Sequence, residues 1–233
     1  MRVEAFRNRT LGHVEFPYVY LDATYIHVRD DALGQVVSRA VVIATGITAN
    51  GTREVLGVDI GDSEDEVFWT RFLRSLKTRG LAGVRLVISD AHAGLIKSIR
   101  KCFAGASWQR CRVHYARNLL AKVPKAHTDM VSAAFRSIFA LSTPDEIHAR
   151  WDEVAATVAE RFPKAAESMN AARTDVLAFT PIQRCRHLPQ RPSSHPAHRR
   201  SALRPTRRMS HRPPIPIRNL NAKLNQPCDT END

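Results

Sequence analysis

Only four of the 233 residues are cysteine. That is too few for a disulfide scaffold, so a reducing cytoplasm is the expected setting. Long hydrophobic runs are missing too. None approaches the roughly 18–20 apolar residues of a membrane helix, and no membrane partner is expected. The opening MRVEAFRNRT lacks the apolar stretch of a secretory signal. Negative charge is in deficit: 23 Asp plus Glu stand against 35 Lys plus Arg, a net of +12 with a pI near 10.2. This balance favours a polyanionic partner, nucleic acid ahead of a membrane surface.

The hydrophobic fraction of 43% is enough for a real core, in one or two domains. The charge is uneven. The last 53 residues hold 11 basic and 3 acidic residues, nine of the 13 prolines and no Phe, Trp or Tyr. Residues 187–218 follow neither a helical nor a strand period. Such a segment buries too little apolar surface to offset its ordering entropy, so residues 181–233 are expected to be a disordered Pro/Arg-rich tail. A phosphate-gripping arm is one explanation of its composition. Translation out of frame is the other.

Ahead of the tail the pattern is ordered. Residues 16–29 alternate, with Tyr18, Tyr20, Asp22, Thr24, Ile26 and Val28 on one face. Residues 36–47 are rich in β-branched side chains and run to the turn dipeptide Asn50-Gly51. Residues 53–60 follow at hairpin distance, which implies an antiparallel meander. The period then changes. Ser63 and Glu66 read as a capping box before Trp69, Phe72, Leu73 and Leu76 at helical spacing. Residues 84–88 read as a buried strand ending at Asp90. Leu95, Ile99, Cys102 and Phe103 mark a second helix, and residues 106–113 suggest a fifth strand. Residues 128–179 read as helix throughout, with Thr143-Pro144-Asp145-Glu146 as a second capping box. The expected class is α/β, in the order β-β-β-α-β-α-β followed by helices.

Two carboxylates stand out. Asp22 lies mid-strand, where burial is costly without a partner. A buried arginine or a metal ion could supply one. Asp90 ends a strand at the edge position where α/β sheets carry functional groups. Its simplest alternative role is a helix N-cap. The strand order allows the first and fourth strands to adjoin. Two neighbouring carboxylates there could share Mg²⁺ or Mn²⁺ against a phosphodiester. Cys111 and His114 have a spacing that could share a helix face, with Cys102 as a possible third zinc ligand. Arg110, Arg112, Arg117, Lys122 and Lys125 form a basic cluster that could meet DNA phosphates or simply face solvent. His92 reads as a polar residue of a helix first turn, and Trp108 as core.

Three stretches, FPYVYLDATYIHVR (16–29), residues 41–95 and WQRCRVHYARNLLAKVPK (108–125), resemble the mutator-type transposases of bacterial insertion sequences. The resemblance covers residues 16–179 almost continuously. It implies a ribonuclease-H-like fold and a DDE site that cuts and joins DNA with two divalent cations. Asp22 and Asp90 match the first two catalytic aspartates, and Cys111 and His114 match a Cys-x-x-His pair. The implied domains are a remnant at 1–15, a catalytic core at 16–127, a helical insertion at 128–180 and the tail at 181–233. The implied partners are element ends and target DNA, with a homo-oligomer when intact, in a nucleoid-associated bacterial cytoplasm. Two departures are expected: no end-recognition domain fits ahead of the first strand, and no third acidic residue can be assigned. The resemblance is expected to break at Pro181, so the chain reads as a degenerate copy. A non-catalytic DNA-binding protein or transposase inhibitor is the alternative.

Overall fold

The computed structural model describes residues 2–30, 34–61 and 65–184. The tail beyond Arg184 and Ser63 lie outside the described residues. A short helix, α1 (Arg2–Asn8), precedes the sheet and was not anticipated. Strands β1 (Tyr18–Asp30), β2 (Gln35–Ile47) and β3 (Arg53–Gly61) form the expected antiparallel meander. The β2–β3 link closes through Thr48 N–H donating to Thr52 O at 3.0 Å, with Gly51 at φ 91° where a side chain would be strained.

The first crossover helix, α2 (Glu66–Thr78), starts later than a Ser63 cap implies. Its N-cap is Asp65, whose carboxylate accepts the Phe68 N–H at 2.7 Å. Aspartate and serine cap equally well, and the sequence SEDE offers both. Strand β4 (Leu86–Ser89), helix α3 (Ala93–Cys102) and strand β5 (Ser107–Arg110) follow, in the expected order but shorter than expected. Four buried residues suffice for β4 because both of its faces are covered. The sheet order is β3-β2-β1-β4-β5, with β1, β4 and β5 parallel.

The remainder is helical: α4 (Arg112–Leu120), α5 (Thr128–Ile138), α6 (Pro144–Ala159), α7 (Pro163–Val176) and α8 (Thr180–Arg184). The Thr143 capping box forms as read, with Pro144 in the first turn. No helix among the described residues is long and apolar enough to cross a membrane.

The alternation of β1 divides the interior in two. Val19 and Leu21 face α2 and α3, meeting Trp69, Phe72, Leu73, Leu76, Leu95 and Ile99. Tyr18 and Tyr20 face the other way, with Leu86 and Ile88, onto a core built from Tyr115, Phe135, Trp151 and Met169 of α4–α7. The helical layer on this second face covers β4, β5 and the start of β1. It does not extend over β2 and β3. There Ile43, Val55 and Ile60 remain 38%, 41% and 57% exposed.

Candidate active site on the β1–β4 seam

Strands β1 and β4 pair in parallel, with Tyr18 opposite Leu86, Val19 opposite Val87 and Tyr20 opposite Ile88. Asp22 lies two residues past Tyr20 in β1, and Asp90 lies two residues past Ile88, just beyond the end of β4 at Ser89. The two-residue period puts Asp22 on the face of Tyr20, the face on which the helical layer packs at the start of β1.

Each carboxylate sits differently from its simplest alternative role. The Asp22 side chain is 62% exposed and has no arginine within ion-pairing distance among the described residues. Its Oδ1 accepts the Ala23 N–H at 3.0 Å and lies 3.9 Å from His114 Nε2. It is exposed because the helical layer stops short of this part of β1. Asp90 is not a helix cap. The N-cap of α3 is His92, which makes no side-chain capping bond, while Asp90 Oδ1 accepts the Ala91 N–H at 2.7 Å. Both aspartates thus keep free oxygen atoms on the solvent side.

The end of β4 is held from β5. Trp108 Nε1 donates to Ser89 Oγ at 2.9 Å, Ser89 Oγ donates to Asp90 O at 2.9 Å, and Cys111 N–H donates to Ser89 O at 2.7 Å. Trp108 is therefore a packing and tethering residue. Ser89 was overlooked in the sequence, where its only signal is its place before Asp90.

Cys111 is the N-cap residue of α4, and His114 follows one turn later. Burial pushes the Cys111 thiol above its ordinary pKa, and the charges of Asp22 and Asp90 push it further the same way. Both carboxylates therefore act on the same thiol. His114 Nδ1 is buried without a hydrogen-bond partner among the described residues. Cys102 is not a third ligand. It belongs to the opposite core, where its Sγ lies 3.9 Å from Thr70 O. Cys185 and His187 lie outside the described residues. Among the described residues no three His, Cys, Asp or Glu side chains could jointly hold a metal ion. The insertion glutamates are engaged or exposed elsewhere: Glu146 caps α6 and Glu153 meets Arg150 at 2.8 Å.

The basic cluster divides. Arg117, Lys122 and Lys125 are exposed, and Arg110 is half-buried, with its guanidinium 5.0 Å from the centre of the Tyr115 ring. Arg112 leaves the expected DNA-facing set. Its guanidinium lies 4.1 Å from the ring centres of both Phe139 and Phe179, and burial pushes its pKa down to about 10. It joins α4 to the ends of α5 and α7 by cation–π contacts. Sequence pattern could not show this, because the two rings come from residues 27 and 67 positions away.

Residues 1–195 match the family described as "Transposase, Mutator family", and the chain belongs to that family. The matched span runs past the break expected at Pro181. The transposase for insertion sequence element IS1081 of Mycobacterium tuberculosis is 43% identical over 178 residues, covering 76% of this chain and 42% of that protein. The transposase for IS256 in transposon Tn4001 of Staphylococcus aureus is 44% identical over 137 residues, covering 59% and 35%. The transposase for ISRM5 of Rhizobium meliloti is 37% identical over 185 residues, covering 79% and 46%. The chain thus spans less than half the length of these relatives. Among solved structures, the Drosophila P element transposase strand transfer complex gives a TM-score of 0.32 at 12% identity, over 69% of this chain and 49% of that one.

Proposed function

We propose that this chain carries the ribonuclease-H-like core of an insertion-sequence transposase, with Asp22 and Asp90 as two of its metal-binding carboxylates. The observation that supports this reading is the parallel β1–β4 pairing, whose last pair, Tyr20 with Ile88, stands two residues before Asp22 and Asp90 respectively. Their oxygens are hard donors, which suit Mg²⁺ or Mn²⁺, whereas Cys111 and His114 alone offer too few ligands for zinc. When bound, such a cation would neutralise charge on a phosphodiester and activate the attacking oxygen. The chain's own contribution is to hold two carboxylates at a fixed spacing. Ser89, Trp108 and the start of α4 support Asp90 in that position. Arg110, Arg117, Lys122 and Lys125 would take the DNA backbone leaving the site.

The two aspartates do not complete a catalytic set. The reading therefore includes a second part: the chain alone binds DNA without joining ends to target, and acts as a degenerate copy or as an inhibitor through mixed oligomers with intact transposase. This part is favoured by the absence of a third acidic ligand among the described residues. A nucleoid-associated location belongs to the same proposal.

The test is a Mg²⁺-dependent strand-transfer assay with element-end DNA, run with the chain alone and then mixed with a full-length relative. The expected result is no product alone and reduced product in the mixture. Product from the chain alone that disappears in Asp22→Asn would overturn the inactive reading and keep the assignment of Asp22. Product that survives in both Asp22→Asn and Asp90→Asn would overturn the site itself.

A further inference from the structure

On the face of the sheet opposite the helical layer, arginines from two elements converge. Arg7 of α1, Arg71 and Arg74 of α2, and Arg79 at the end of α2 line an open groove of about 640 Å³ against β3. Asp59 is the one acidic side chain among the groove's lining residues. It already serves two of the arginines, Arg7 at 2.7 Å and Arg71 at 3.7 Å. Arg74 forms no ion pair among the described residues. Arg71 and Arg74 also line a second depression of about 350 Å³ on the other flank of α2, where Lys101 of α3 joins them opposite Glu66. The two arginines thus form a ridge between two basic hollows.

Like charges three residues apart on a helix disfavour each other. Arg71 and Arg79 are nonetheless held in place. The Arg71 guanidinium lies 5.2 Å from the centre of the Phe68 ring. Arg79 donates through Nε to Arg9 O at 2.9 Å and through Nη2 to Phe6 O at 3.4 Å. Arg71 and Arg74 are about 4.5 Å apart along the helix axis, on one flank of α2, so their long side chains can reach neighbouring phosphates of one backbone. No aromatic side chain is exposed in the groove to stack a base, which points to backbone contact without sequence reading.

We propose that the Arg7–Arg71–Arg74–Arg79 groove is a second docking surface for the phosphate backbone of duplex DNA, separate from the carboxylate face. It rests on the reading that the chain binds DNA, and it adds a place. A protein that handles two DNA segments needs contacts on more than one side. Here the helices on opposite faces of the sheet present two separate basic surfaces.

The test uses the full chain and random-sequence duplex DNA. Arginines are modified with phenylglyoxal with and without the duplex, and mass spectrometry reads each site. Arg71 and Arg74 are expected to be protected. In parallel, the salt dependence of binding is measured for the Arg71→Gln, Arg74→Gln double variant. Losing two phosphate contacts should lower the log–log slope by about 1.8. Arg71→Lys, Arg74→Lys should restore it, which a merely structural role would not do. Equal modification with and without DNA, or an unchanged slope in the glutamine variant, overturns the proposal. So does protection by double-stranded RNA without protection by DNA. If the wild-type chain binds no DNA at all, the function proposed above falls with this surface. If it binds while Arg71 and Arg74 stay unprotected, only this surface falls.

Discussion

Replacing Asp22 and Asp90 by cysteine, in a Cys111→Ser background, should produce a disulfide between β1 and β4. Adjacent strands are about 4.8 Å apart, inside the 4.4–6.8 Å window of Cα separations that a disulfide accepts. Continued two residues past its last pair, Tyr20 with Ile88, the register would bring positions 22 and 90 to that spacing with both side chains on one face. Cys111, a free cysteine at the start of α4, is removed so that it does not compete for either new cysteine. The bridge would close a loop of about 68 residues, for which the chain-entropy relation gives about 4 kcal/mol of stabilisation. For a chain of this size that is a rise of roughly 10 °C in Tm. The assay compares peptide maps and thermal melts of the protein in oxidising and reducing glutathione. Cysteines 22 and 90 that remain reduced in a folded protein under oxidising conditions would refute the shared-face geometry. The proposed metal pair would go with it. This test needs no activity, so it separates the geometry from the question of catalysis.

Trp151→Ala should destabilise the helical layer by about 3–5 kcal/mol, because Trp151 is fully buried against Tyr115 and Phe135. Denaturant unfolding followed by circular dichroism measures it, and a loss under 1 kcal/mol would mean the layer is not packed as described. Asp152 is held below its ordinary carboxylate range chiefly by its bond to Arg173, so its contribution is present above pH 3.8 and is lost as the pH falls through its lower folded value. Acid unfolding of Asp152→Asn should therefore show a shallower pH dependence in that window, and an identical profile would remove the α6–α7 link from the account. Ile43→Thr with Ile60→Thr should lower binding of a hydrophobic dye and raise solubility, since these residues share an uncovered sheet face; unchanged dye binding would show that the patch is covered in solution.

Alternation in residues 18–29 and the helical stripes of Trp69 to Leu76 and of Val131 to Ile138 were legible because secondary structure leaves a short-range period. The Thr143 cap was legible for the same reason: its partners are three residues away. The α2 cap was misplaced because neighbouring Ser63 and Asp65 have similar propensities, and local chemistry does not choose between them. Asp22 and Asp90 could be named as candidates, and the strand order made their meeting plausible. Their relation nevertheless depended on which strand lay beside β1 and in which register.

The sequence alone determined most of the elements from β1 onward, their order, the basic balance and the membership of a transposase family, because each is written in local pattern or in residue identity along the chain. Tertiary structure decided the rest. It freed Asp90 from a capping role, exposed Asp22, drew Arg112 between two distant phenyl rings, sent Cys102 to the opposite core and gathered Arg7, Arg71, Arg74 and Arg79 into one groove. The physical reason is range. Periodicity and capping act over three or four residues, whereas burial, charge pairing and shared faces depend on segments tens of residues apart that meet only when the sheet closes.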